Sequence, residues 1–136
     1  MLKKKSFTLI EIIIVIIIIA LLAALALPGF GVTRERTLDK EAKTSLLLMR
    51  AAERIYNLEM GFYFPSPAAS TTDVSLVNAN LKLRLPATPK TIYWNYNVDS
   101  VNQQINATRN KTGGRSFAVT FGSDTITCTP NSDTCP

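Results

Sequence analysis

The sequence predicts an α+β chain: a long N-terminal α-helix, with a membrane half and an amphipathic half, packed on a small antiparallel β-sheet. Four observations carry this reading. An apolar run from Ile12 to Leu27 follows the basic cluster Lys3-Lys4-Lys5. From Thr33 to Met60 there is neither Pro nor Gly. Leu38, Ala42, Leu46, Met49, Ala52 or Glu53, Tyr56 and Met60 recur there at spacings of three and four, the signature of one helix face. The last third of the chain alternates apolar and polar residues in short runs bounded by Gly, Asn and Asp.

Taken in order, Phe7 to Leu27 is long enough to span a bilayer, and the three lysines mark its cytoplasmic flank. One carboxylate, Glu11, interrupts it. A charge at the centre of a membrane helix costs roughly 2.5–3.5 kcal/mol on insertion scales, and less near an end. Pro28, Gly29 and Gly31 then predict a kink or weakened turn, because proline removes a donor and crowds the preceding turn. Helix resumes to Met60, with Gly61 placed to end it. The two halves together would extend roughly 80 Å at 1.5 Å per residue, so the first half is expected to project from the rest. The opposite face of the second half is charged: Arg34, Glu35, Arg36, Asp39, Lys40, Glu41, Lys43, Arg50, Glu53, Arg54 and Glu59. That face is either solvated or paired with neighbouring copies.

Beyond the helix, Phe62-Tyr63-Phe64-Pro65-Ser66-Pro67 reads as a stiff aromatic loop. Asp73 is placed to cap a short turn through Val74 to Val77, and Leu81, Leu83 and Leu85 alternate as a short strand or an extended packing segment ended by Pro86. Strands are expected at Ile92–Val98, Gln103–Arg109, around Phe117, Val119 and Phe121, and at Thr125–Cys128. Three or four antiparallel strands would pack on the apolar stripe of the second helical half.

Composition sets further bounds. The 136 residues leave room for one modest domain besides the membrane segment. The formal charge of +5 comes from 15 basic and 10 acidic side chains. Without the three N-terminal lysines it falls to 12 against 10, about +2, and no basic stripe indicates nucleic acid. There is no histidine, hence no Ser-His-Asp or Cys-His set, and no phosphate-binding glycine loop. The chain is therefore read as a non-enzyme. Asp99, Asp124 and Asp133 sit where carboxylates could ligate calcium, but their spacing fits no EF-hand and turn formation explains them better. No cofactor is expected otherwise. Trp94 with its tyrosines is core by its strand spacing before it is a stacking platform. Asn106-Ala-Thr108 and Asn110-Lys-Thr112 match glycosylation triplets that occur by chance. Cys128 and Cys135 are a disulfide pair in an exported domain or two unpaired thiols. Closing that loop would contribute about 2–2.5 kcal/mol by the chain-entropy model.

The N-terminus resembles the prepilin-type leader of type IV pilins and of the pseudopilins of type II secretion systems. In that family a short basic leader ends in a small residue, usually Gly, followed by Phe and a Thr-Leu-Ile-Glu-like stretch. Here Phe7-Thr8-Leu9-Ile10-Glu11 matches throughout, Pro28 falls at the family's kink position, and Ser6 stands where Gly is usual. The resemblance implies a leader at residues 1–6, a membrane and filament-core helix at 7–31 bending at 28–31, and an exported pilin-like domain at 32–136. It implies cleavage between Ser6 and Phe7 by prepilin peptidase, N-methylation of Phe7, and pairing of Glu11 with the new amine of an adjacent subunit. Implied partners are further copies in a filament, the peptidase, an inner-membrane assembly platform and, before assembly, membrane lipid. Implied locations are the inner membrane first, with the N-terminus cytoplasmic, and then a periplasmic or surface filament. The Cys128 and Cys135 pair resembles the C-terminal disulfide of many type IV pilins and favours a pilus (fimbrial) subunit over a secretion pseudopilin.

Three rivals predict other outcomes. Ala24-Leu25-Ala26 fits a conventional secretory cleavage site, which would release a soluble protein beginning at Leu27. A membrane-tethered enzyme or binding module finds no catalytic set. A DNA-uptake minor pilin finds no basic surface once the lysine cluster is removed.

Overall fold

The computed structural model describes residues 7–66, 69–86, 93–110 and 114–129. The chain divides into two compact units, Met1–Arg36 and Thr37–Pro136. The first contains the opening part of α1, a 52-residue helix over Leu9–Met60 whose assignment continues through Pro28, Gly29 and Gly31. Side chains from Phe7 to Leu25 are exposed throughout. Among the described residues no single helix is long and apolar enough to cross a membrane. Leu9–Leu25 and Phe30–Met60 taken together are long and apolar enough, by length and composition alone.

The second unit is α+β. The rest of α1 is followed by β1 (Ser70–Thr71), α2 (Val74–Leu81), β2 (Trp94–Asp99), β3 (Gln104–Arg109), β4 (Ser116–Thr120) and β5 (Ile126–Thr129). The five strands form an antiparallel meander in chain order. Its register sets Tyr96 opposite Ala107 and Ala107 opposite Phe117, so one face carries the large apolar side chains of the strands. Trp94, Tyr96, Val98, Ile105, Phe117, Val119 and Phe121 form the core with Ala42, Leu46 and Met49 of α1. Trp94 satisfies its buried indole by donating from Nε1 to the Leu38 carbonyl at 3.0 Å. It is core, as its spacing implied.

Gly61 ends α1 at φ +83°, with its amide donating to the Asn57 carbonyl at 2.8 Å. Asp73 caps α2 through Oδ1, which accepts from the amides of Ser75 and Leu76 at 2.9 and 3.2 Å. The helix it starts runs to Leu81, beyond the expected short turn, and buries Val74, Val77 and Leu81 at helical spacing. That corrects the strand reading, since Leu81 closes a helix, while Leu83 and Leu85 follow it without strand pairing and pack on the core as an extended segment. Lys82 adopts the left-handed conformation at φ 54° and stops the helix. Asn78 then takes the place of a pairing strand: its side chain accepts from the Leu85 amide at 2.9 Å and donates to the Leu85 carbonyl at 2.8 Å. The sheet has one strand more than expected, because the two residues of β1 pair with Val98 and Asp99.

Candidate assembly site

Of the expected processing and registration residues, Phe7 precedes α1 and Glu11 lies in its first turn. Ser6 is outside the described residues, and Phe7 is 80% exposed. Thr8 is the last non-helical residue and caps the helix, with the Ile12 amide donating to its carbonyl at 3.5 Å. Glu11 reaches back to it. Its Oε2 accepts from the Thr8 amide and from the Thr8 hydroxyl, both at 2.9 Å, while its own amide donates to the Thr8 hydroxyl at 3.3 Å. This reciprocal arrangement is a capping box. It satisfies orphan donors of the first turn and sets the carboxylate at the positive end of the helix dipole. Thr8 is the residue that sequence reasoning missed, although Thr-x-x-Glu ahead of an apolar run is its signal.

Residues 1–27 match the family model described as "Prokaryotic N-terminal methylation motif". The chain carries the type IV pilin and pseudopilin signature. The match covers 27 of the 136 residues and contains Ser6, Phe7, Thr8 and Glu11. No curated protein matches the chain at a significant level. The signature points to a membrane-anchored precursor and to a structural subunit.

Past the signature, α1 presents two apolar faces. Ala42, Leu46 and Met49 are buried against the sheet. Leu48, Ala51, Ile55 and Leu58, at spacings of three and four, are exposed, Leu58 to 85%. Two coiled-coil heptads would place these residues on a single seam. Beside it, residues of α1 and of Asn80–Leu83 line an apolar groove of about 320 Å³.

Three of the charged residues expected on an outward face are buried and engaged within the chain. Asp39 accepts from Arg115 Nε at 2.7 Å. Arg50 pairs with Asp124 and donates from Nε to the Phe121 carbonyl at 3.3 Å. Glu53 is 0% exposed, and its Oε2 accepts from the Phe64 amide at 3.0 Å, tying the loop after α1 back onto the helix. Burial pushes its pKa up to about 7, and the Phe64 hydrogen bond opposes that shift. For these three, both the solvated and the intersubunit readings are wrong.

The calcium candidates also have protein partners. Asp99 closes its own turn, accepting from the amides of Val101 and Asn102 at 2.9 and 3.0 Å and from Asn102 Nδ2 at 2.7 Å. Those Asn102 and Val101 bonds hold its pKa below the usual range. Asp124 faces Arg50, and Asp133 lies outside the described residues. Cys128 is in β5 and packs against the core, whereas Cys135 lies outside the described residues.

Proposed function

We propose that this protein is a structural subunit of a type IV pilus-like filament. Prepilin peptidase cuts between Ser6 and Phe7 and methylates the Phe7 amine. The subunit waits in the inner membrane with its N-terminus cytoplasmic and leaves it through an assembly platform into a periplasmic or surface filament. The observation that carries this reading is the matched signature at the head of a helix whose side chains from Phe7 to Leu25 are all exposed. An apolar surface of that extent needs lipid before assembly and other copies after it.

Within this mechanism Glu11 has two successive partners. In the single chain Thr8 satisfies its carboxylate. In the filament the methylated amine of a neighbouring Phe7 replaces or joins that contact, and the pairing sets the register. A carboxylate beside an ammonium is compensated where a lone charge in lipid is not. Pro28, Gly29 and Gly31 let the helix bend as copies pack. Cys128 and Cys135 close the C-terminal loop, supported by the absence of any free cysteine among the described residues.

A pseudopilin of a type II secretion system has the same processing and the same helix. The cysteine pair favours the pilus, and a gene neighbourhood with a pilus ATPase but no secretion outer-membrane channel would agree. Imaging cells that produce Glu11→Ala at wild-type protein levels tests the assembly claim. Loss of filaments is expected, and unchanged filaments would contradict it.

A further inference from the structure

We propose that the Thr8–Glu11 capping box holds the Ser6–Phe7 peptide bond outside α1, which makes Thr8 a positioning residue for prepilin processing. The proposal rests on the filament reading, whose peptidase cuts that bond, and adds what the substrate itself contributes.

The chain has two residues able to start this helix. Ser6 and Thr8 are both good N-caps, and serine is slightly the better of the two. The structure uses Thr8: Phe7 and Thr8 are non-helical, and α1 opens at Leu9. The residue three positions on decides between them. Three after Thr8 is Glu11, whose Oε2 accepts from the Thr8 amide and hydroxyl, both at 2.9 Å. The Thr8 hydroxyl in turn accepts from the Glu11 amide at 3.3 Å. Three after Ser6 is Leu9, whose side chain has no acceptor to return. The box therefore fixes the last non-helical residue one position past Phe7.

That choice governs access to the reacting carbonyl. The carbonyl of a cap accepts the first intrahelical hydrogen bond, and at Thr8 the donor is the Ile12 amide at 3.5 Å. Were Ser6 the cap, its carbonyl would accept from the Ile10 amide, and Phe7 would be the first helical residue. Water must attack this same Ser6 carbonyl, leaving a carboxylate on Ser6 and releasing the Phe7 amine. Extended peptides are gripped through backbone N–H and C=O groups that a helix consumes. With Thr8 as the cap, Phe7 stays outside the helix and 80% exposed.

The initial rate of leader removal tests this, measured on the full-length chain in membrane vesicles with a prepilin peptidase. Thr8→Ala, a poor cap, should be cut about fivefold more slowly, the factor by which losing one cap shifts a helix boundary. Thr8→Ser, Thr8→Asn and Glu11→Gln keep a cap and should be cut at nearly the wild-type rate. Resistance to carbonate extraction shows that each variant is in the membrane. Wild-type cutting of Thr8→Ala overturns the proposal. Slow cutting of Thr8→Asn or Glu11→Gln also overturns it, because the peptidase then reads the threonine side chain or the charge directly. Either result leaves the filament reading standing. A wild-type chain that is not cut between Ser6 and Phe7 ends that reading and the proposal with it.

Discussion

Glu11 caps the helix together with Thr8, and on the proposed reading it also registers neighbouring subunits; two substitutions separate these uses. Glu11→Gln keeps an acceptor for the Thr8 amide but removes the charge, and a capping box accepts Gln at this position. Hydrogen exchange at residues 9–12 should therefore stay near wild type while filament assembly is lost. Thr8→Val removes the hydroxyl that bonds Glu11 in both directions and should weaken the first turn by about 1 kcal/mol. Faster exchange at the same amides measures it. Glu53 carries the second residue-scale prediction. Its pKa is raised from 4.5 to about 7 in the folded chain, so the folded state binds its proton more tightly than the unfolded one. Stability is then greatest with Glu53 protonated and falls as the pH rises from about 4.5 to about 7. The loss reaches at most about 3 kcal/mol and is complete above that window. Denaturant titrations of Glu53→Gln should lack this slope. The Thr8 cap was written in the sequence as Thr-x-x-Glu. The burial of Glu53 was not, because its partner, the Phe64 amide, is defined only once the chain after Gly61 has folded back.

At the scale of elements, α1 joins the sheet through apolar packing and two ion pairs. Asp39 is nearly fully buried and depends on Arg115 of the β3–β4 connection. Removing Arg115 leaves a buried carboxylate uncompensated, so Arg115→Ala should cost about 3 kcal/mol, whereas Asp39→Ala with Arg115→Ala should cost less than the two changes summed. Chemical denaturation of the four chains of that cycle measures the coupling. Leu46→Ala, which empties a fully buried site beneath the sheet, should cost about 2–5 kcal/mol by the same assay. The strands from β2 to β5 were legible because alternation with period two survives in a sheet with one buried face. β1 was not legible, since Ser70 and Thr71 carry no pattern and are strand only by pairing with Asp99 and Val98. Leu81, Leu83 and Leu85 imitated a strand because three leucines in alternation cannot reveal that the first closes a helix started by Asp73. The charges of α1 looked solvated for a related reason: Arg115, Phe121 and Asp124 lie more than 70 positions away from the helix residues they meet.

For the whole molecule, the division of labour follows the chain. On the proposed reading the signature and the exposed helix would supply targeting and assembly, while the second unit folds around its own core. Cys128→Ser should lower the stability of the oxidised full chain by about 2 kcal/mol, and a reducing agent should produce the same loss in the wild type and none in the variant. The α+β class and the family signature were readable from residues alone, because an apolar run behind three lysines and a period-two C-terminal third need no long-range information. Which face of α1 stays exposed was not, because that appears only once the sheet has claimed the opposite face. Tandem mass spectrometry of the mature N-terminus tests the central claim most directly. The account predicts a chain beginning with N-methylated Phe7, whereas a chain beginning at Leu27, or one that retains Met1 to Ser6, would contradict it.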